Sequence, residues 1–176
     1  MGSKEHNVIR QMLGCIFALG LVLSSVSVVG QERKERKITD IVRTSTPPVL
    51  DGSLNDATWV GATVIEDLHQ YQPDDNGVPS EGSIFYVAYD DDNLYLGARL
   101  FDSAPDEISA RQMIQGQAVN LDDRISLIID PFNNMRAGYK FEINANGVRR
   151  DGVYSGPERT NSDWDGIWDA AAAVDD

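Results

Sequence analysis

The stretch "YKFEINANGVRRDGVY", from Tyr139 to Tyr154, decides the fold class. Two segments with strand-forming side chains, "YKFEINA" and "VRRDGVY", flank the pair Asn146-Gly147. Asn-Gly favours the positive φ angles of a two-residue type I′ turn, which joins antiparallel strands. The stretch therefore predicts a β-hairpin.

The same kind of pattern occurs on both sides of this hairpin. "SIFYVAY" and "LYLGARLF" flank the turn residues Asp90 to Asn93, and "RISLIID" predicts a strand that ends at Pro131. Residues 38–43 predict a short first strand, and "GIWDAAAAV" predicts the start of one more. Several short strands with turn signals between them predict an all-β fold, an antiparallel β-sandwich with one or two short helices.

The two helices are predicted from capping signals. In "LDGSLNDATW", Ser53 precedes Asp56 by three residues, the spacing of a capping box, and predicts a helix from Leu54 to Ala62. Trp59 then shares a face with Leu54 and Ala62, so we expect it in the core; the alternative is a platform on which a sugar stacks. "APDEISARQM" predicts a second short helix or helical turn.

Residues 1–30 predict a secretory signal peptide. Lys4 and Arg10 precede a long uncharged segment, and small residues end it at Gly30, where we expect cleavage. A transmembrane anchor is the alternative. Residues 31–43 then form a charged spacer and the first strand, and residues 44–176 form the domain. The last predicted strand has no partner in the sequence, so we expect the domain to be incomplete at its C-terminus.

The net charge of the chain limits the classes of ligand and partner that it can bind. The chain carries a net charge of −13, and loss of the signal, with two basic residues and one acidic residue, would make it −14. Such a charge repels nucleic acid and anionic lipid, and suits neutral ligands, cations or basic partners. Cys15 is the single cysteine and would leave with the signal, so no disulfide is expected.

The sequence gives no catalytic signal. His69 is the one histidine after the predicted signal, and no Gly-x-Ser-x-Gly motif accompanies it. A glycosidase needs two carboxylates at a defined separation, and the many acids in this chain select no such pair. Phosphate-binding and dinucleotide-binding glycine motifs are also missing. We therefore expect a protein that is not an enzyme.

The segment "NSDWDG", from Asn161 to Gly166, resembles the beginning of a calcium-binding loop. Oxygen ligands stand at its first, third and fifth positions and Gly at its sixth, and Asp169 follows at the ninth. Ala172 stands where an EF-hand places a bidentate Glu. The candidate calcium ligands of a looser loop are Asn161, Asp163, Asp165 and Asp169; the alternative is a solvated turn.

Aromatic residues in the same region suggest a sugar site. Trp164 and Trp168 lie in a segment rich in Gly and Asp, and Tyr154 is close in sequence. We expect Trp168 in the core, with a place in the sugar site as the alternative. Trp164 is a candidate for stacking on a pyranose, and Asp163 and Asp165 would accept hydrogen bonds from its hydroxyls. Asp122 and Asp123 precede an apolar strand, where acids often accept hydrogen bonds from backbone N–H groups or a ligand.

Taken together, four segments resemble family 9 carbohydrate-binding modules: "PPVLDGSLNDATW", "YVAYDDDNLYLGARLFD", "DDRISLIIDPF" and "GYKFEINANG". The resemblance implies a β-sandwich that binds saccharide without catalysis. "HQYQPDDNGVPSEGS" and "NGVRRDGVY" with "WDGIWDA" are similar to a subgroup of exported bacterial proteins. In that subgroup the module follows the signal peptide and precedes a long region, expected to be an outer-membrane β-barrel.

The residues that bind sugar in that family are mostly replaced here. Asp123 matches, but Asn120 stands where an aromatic residue is expected, Ser126 where a Glu is expected, and Glu142 where an Arg is expected. Two hypotheses follow. The chain is either a carbohydrate-binding module for neutral saccharides with a rearranged site, using Asp123, Asp163, Trp164 and Asp165, or a structural or interaction domain attached to the outer-membrane barrel.

Overall fold

The computed structural model describes residues 37–156 and 159–175. The predicted signal peptide, with its alternative of a membrane anchor, lies outside these residues. No helix in the described part of the chain is long and apolar enough to cross a membrane.

Within the described residues, eight strands form two sheets. The strands are β1 (Val42–Arg43), β2 (Thr63–Ile65), β3 (Ser83–Tyr89), β4 (Leu94–Leu100), β5 (Arg124–Ile129), β6 (Gly138–Asn144), β7 (Arg149–Tyr154) and β8 (Thr160–Asn161). The α-helix α1 is Ala57–Val60, and Pro105–Glu107 forms one 3₁₀ turn. The all-β prediction is confirmed, because strands dominate and the helical segments are very short.

The first sheet is built around β3. β4 pairs antiparallel with the whole of β3, as predicted for the two segments around Asp90 to Asn93. β2 pairs antiparallel with β3, and β1 pairs with it in parallel. The Asp90 carboxylate accepts hydrogen bonds from the N–H groups of Asp92 and Asn93 and from the Tyr95 hydroxyl, so it closes the turn.

The second sheet runs in the order β5-β6-β7-β8 and is antiparallel throughout. The hairpin β6–β7 is the one predicted from "YKFEINANGVRRDGVY", but its turn is not type I′. Gly147 has φ +74° whereas Asn146 is not in the positive-φ region. Gly147 N–H donates to the Asn144 carbonyl and Asn144 N–H donates to the Val148 carbonyl, so three residues form the loop. Such loops end with a residue at positive φ, which glycine supplies.

The predicted helix, Leu54 to Ala62, is longer than the observed one at both ends. α1 begins at Ala57 and ends at Val60, and Asp56 precedes it without a side-chain capping bond. Asp56 Oδ2 instead accepts a hydrogen bond from Val49 N–H at 3.2 Å, and Asp51 Oδ1 accepts one from Ser53 N–H at 2.8 Å. These Asp-to-backbone bonds offer the chain a turn in place of the first helical turn.

Trp59 is a core residue, as predicted, with 6 % of its surface exposed. Its ring meets Tyr86 edge-on, with 6.5 Å between centroids. A Cβ at Gly97 would lie 3.0 Å from the Trp59 ring, so the absence of a side chain there lets β4 approach the indole. The other buried apolar residues are Val87, Ala88, Val119 and Val148.

Two further expectations differ from the structure, and a third is met. The first strand is confined to Val42–Arg43. The segment "APDEISARQM" forms one 3₁₀ turn, Pro105–Glu107, which is the helical turn predicted as an alternative to a short helix. "GIWDAAAAV" is not a strand, and Ile167 is fully exposed. The beginning of that segment instead contacts side chains of the second sheet, and Ala172 and Ala173 lie against Gly52.

Candidate functional site

The second sheet has two chemically different faces. Side chains alternate between the faces of a strand, so Tyr139 and Phe141 of β6 lie on one face and Lys140 and Glu142 on the other. The register places Asp151 of β7 opposite Phe141. One face is therefore aromatic and the other charged.

The aromatic face is formed by Tyr139, Phe141, Trp164 and Trp168. Trp164 stacks on Tyr139 with 4.8 Å between ring centroids and 30° between planes. Phe141 meets Trp164 edge-on at 6.0 Å and Trp168 edge-on at 5.2 Å. Both Trp side chains are half-buried, so each keeps part of its surface in contact with solvent.

Asp151 fixes the loop that carries the two Trp residues. Its Oδ2 accepts hydrogen bonds from Gly166 N–H at 2.7 Å and from Trp168 Nε1 at 3.1 Å. The Arg149 guanidinium lies over the Trp168 ring, 5.6 Å from its centroid, and donates to the Trp168 carbonyl. Trp168 is therefore held by polar bonds on the aromatic face and does not belong to a new strand. It is half-buried, so it is not the core residue that the sequence predicted.

Asp163 and Asp165 lie beside Trp164 in sequence, and both are exposed. Asp163 N–H donates to the side chain of Asn161 at 3.0 Å, which shapes the turn. Within the part of the chain that the structure describes, neither carboxylate forms a hydrogen bond or ion pair. These two carboxylates can therefore accept hydrogen bonds from ligand hydroxyl groups next to the indole.

The candidate calcium ligands are not gathered around one point. Asp169 forms an ion pair with Arg149 at 2.9 Å, and Asn161 is engaged with Asp163 N–H. Among residues 37–156 and 159–175, no group of three or more His, Cys, Asp or Glu side chains is arranged to hold a metal ion. Calcium binding stays a prediction, tested by comparing melting temperatures in about 1 mM calcium and in chelator.

Asp122 and Asp123 bind backbone N–H groups, one of the two roles the sequence predicted. Asp123 Oδ2 accepts from Ser109 N–H at 2.7 Å, and Asp122 accepts from Arg111 N–H at 3.1 Å and Gln112 N–H at 3.0 Å. A 2.8 Å hydrogen bond from the Asn144 side chain is the main cause that lowers the pKa of Asp122. The pair thus attaches residues 109–112 to the second sheet.

The charged face centres on Glu142, which is 3 % exposed. Its Oε1 accepts from Lys140 Nζ at 2.8 Å, Ser126 Oγ at 3.0 Å and Arg124 Nε at 3.2 Å. Arg150 Nη1 lies 3.9 Å from Oε2. Burial raises the pKa of Glu142, but the hydrogen bonds from Lys140 and Ser126 and the nearby positive charges outweigh burial and lower it overall.

Sequence reasoning noticed Ser126 and Glu142 only as replacements and missed the three cations around them. Lys140 and Glu142 share a face because side chains two residues apart in a strand point the same way, whereas Arg124 of β5 and Arg150 of β7 join them only through the register. Ser126 pairs with Glu142, and Glu142 pairs with Arg150. The position of Asn144 opposite Arg124 completes the same register.

His69 is exposed, and its ring lies 3.5 Å from the Asp67 carboxylate.

Comparison with known proteins adds no relatives: no protein-family model matches the chain, and no curated protein or solved structure does so either.

Proposed function

We propose that this chain is a non-catalytic saccharide-binding domain whose contact surface is the aromatic face. The observation that carries the proposal is the stack of Trp164 on Tyr139, at 4.8 Å, next to two exposed carboxylates that have no partner among the described residues. Sugar rings present C–H surfaces that pack on indole faces, and hydroxyls that donate to carboxylates.

Rigidity of this surface also favours the proposal. The Asp151 bonds to Gly166 and Trp168 hold the second half of the loop that carries the indoles, directly after Trp164. A prearranged aromatic surface loses less conformational entropy on binding than a mobile one. Tyr139 and Phe141 lie on β6, in the middle of the sheet, so the base of the site is a regular strand.

The resemblance to family 9 carbohydrate-binding modules supports the same function and a β-sandwich arrangement of the two sheets. The resemblance and the leader-like first 30 residues also support a place in an exported protein that takes part in carbohydrate breakdown. Neutral saccharides are the proposed ligands of the aromatic face, because Asp163, Asp165 and Asp169 would repel an acidic sugar there.

Weak binding is part of the proposal. Asn120 offers no stacking face, and Asp123, the one position that matches the family's sugar site, already accepts a hydrogen bond from Ser109. Loss of several ligand contacts of about 1–3 kcal/mol each would move a micromolar site into the millimolar range. A glycan array that includes xylan, cellulose and mannan oligosaccharides tests the proposal; neutral glycans should be retained weakly and left uncleaved.

A structural or interaction domain attached to an outer-membrane barrel is the second candidate. The use of Asp123 as a structural acceptor, with Ser126 and Glu142 bonded to each other, favours it. The two candidates differ in one result, since an interaction domain would retain no glycan on the array.

A further inference from the structure

We propose a second ligand site on the charged face, which recognises the carboxylate of an acidic saccharide such as a hexuronate. The site is the group Arg124, Ser126, Lys140, Glu142 and Arg150, called here the cationic cluster. It lies on the face opposite the Trp residues, so the inference does not rest on the function proposed above.

The cationic cluster has more positive than negative charge in a strongly acidic protein. Three cations surround one carboxylate, whereas the whole chain carries −13. Asp122 approaches this face through Asn144, and its carboxylate is engaged with Asn144 and two backbone N–H groups. Asp130, beyond the end of β5, likewise uses its carboxylate on the N–H groups of Phe132 and Met135.

The cations are accessible, although the acid between them is not. Side-chain exposure is 31 % for Arg124, 23 % for Lys140 and 25 % for Arg150, against 4 % for Glu142. Partly buried cations are screened less by water than fully exposed ones, so they attract an anion more strongly. Glu142 thus acts as a positioning residue that holds the cations close together.

Lys140 and Arg150 keep N–H donors that do not bind Glu142. Lys140 has three N–H donors and uses one on Glu142. Arg150 donates through Nη2 to Ser162 Oγ at 2.9 Å, and its Nη1 is 3.9 Å from Glu142, too far for a hydrogen bond. Guanidinium groups bind carboxylates with two parallel hydrogen bonds, so Arg150 is the expected anchor for a ligand carboxylate.

The cluster also suits hydroxyl groups, which favours a sugar acid over a simple anion. Ser162 is exposed, and its hydroxyl accepts one hydrogen bond from Arg150, so its own O–H can donate to a ligand hydroxyl. The Ser126 and Ser162 hydroxyls lie beside the cations. A uronate presents a carboxylate and neighbouring hydroxyls, and matches both sets of groups.

Titration with glucuronate and with glucose, at low salt and at about 0.15 M salt, tests this inference. Glucuronate should bind and glucose should not bind to this face, and salt should weaken the binding. Competition with sulfate distinguishes recognition of a sugar acid from general anion binding. We expect sulfate to compete at least tenfold more weakly than glucuronate. Equal competition by sulfate would overturn the sugar-acid assignment.

Arg150→Gln is the decisive variant, because Arg150 contributes least to holding Glu142. Loss of a charge-assisted bond pair should weaken glucuronate binding by about tenfold to a hundredfold. Arg43→Gln, which makes the same change of charge on β1 in the first sheet, should bind glucuronate as the unmodified protein does. Melting curves verify that both variants are folded, and Lys140→Gln provides a second test if Arg150→Gln is not.

Three further results would overturn the inference: no glucuronate binding, equal binding of glucose at this site, or full binding by folded Arg150→Gln. Trp164→Ala separates this inference from the proposed function. Glucuronate binding that survives Trp164→Ala supports a separate site on the charged face. Neutral-sugar binding without glucuronate binding would contradict the second site and leave the first intact.

Discussion

Asp151 accepts the indole N–H of Trp168 and the backbone N–H of Gly166 on the same carboxylate oxygen, Oδ2, at 3.1 Å and 2.7 Å. One side chain of β7 therefore fixes the loop that forms half of the aromatic face. Because both bonds end on one oxygen atom, the stability of a variant that removes this oxygen can be compared with that of a variant that keeps one.

Asp151→Ala removes the acceptor and should destabilise the protein by about 1–3 kcal/mol. Asp151→Asn keeps one carbonyl oxygen at that position and should lose less than about 1 kcal/mol, the part due to the ionic character of the bonds. Urea denaturation followed by Trp fluorescence measures both. Equal losses for the two variants would contradict the role given to the oxygen.

Trp59→Ala should destabilise the protein by about 3–5 kcal/mol, because it removes a large buried ring between α1 and β3. Val60→Ala, at the exposed next position of the helix, should change stability by less than about 0.5 kcal/mol. Thermal and urea denaturation provide the measurement. An unchanged stability in Trp59→Ala, with loss of glycan binding, would move Trp59 from the core to a sugar site.

Hydrophobic pattern and turn residues predicted the two hairpins well, because each depends on neighbouring residues only. The helix near Trp59 was misplaced because Asp51 and Asp56 form turn bonds that compete with a capped helix. Gly166, Trp168 and Asp169 contact the second sheet through Asp151 and Arg149 without forming a strand, and no local sequence signal encodes these contacts. The cationic cluster depends on the register of three strands, which a single sequence does not reveal.

Acid should weaken the fold through Glu142. Its pKa in the folded protein is lowered, so its contribution to stability is present above the pKa of the unfolded chain, about 4.3, and disappears as pH falls through the lower folded value. Glu142→Gln should therefore be less stable than the unmodified protein at pH 7, and the difference should shrink toward pH 3. Melting curves across this range measure it; a difference that grows on acidification would refute the assignment.

Export is a prediction from the first 30 residues. Lys4, Arg10 and the uncharged segment up to Gly30 should direct the chain out of the cytoplasm of a Gram-negative host. N-terminal sequencing of the recovered protein should begin near Gln31. Recovery of the uncleaved chain in the inner membrane would support the anchor instead.

Saccharide binding at the aromatic face is the central claim, and titration of xylan, cellulose and mannan oligosaccharides followed by Trp fluorescence tests it most directly. The account predicts a dissociation constant of about 1 mM or weaker for a neutral glycan, and its loss in Trp164→Ala. Asp163→Asn should weaken binding without disturbing the core, and Tyr71→Ala, which removes an exposed aromatic ring from a loop outside both sheets, should leave it unchanged. Micromolar binding that Trp164→Ala does not alter, or no binding of any neutral glycan, would contradict the account.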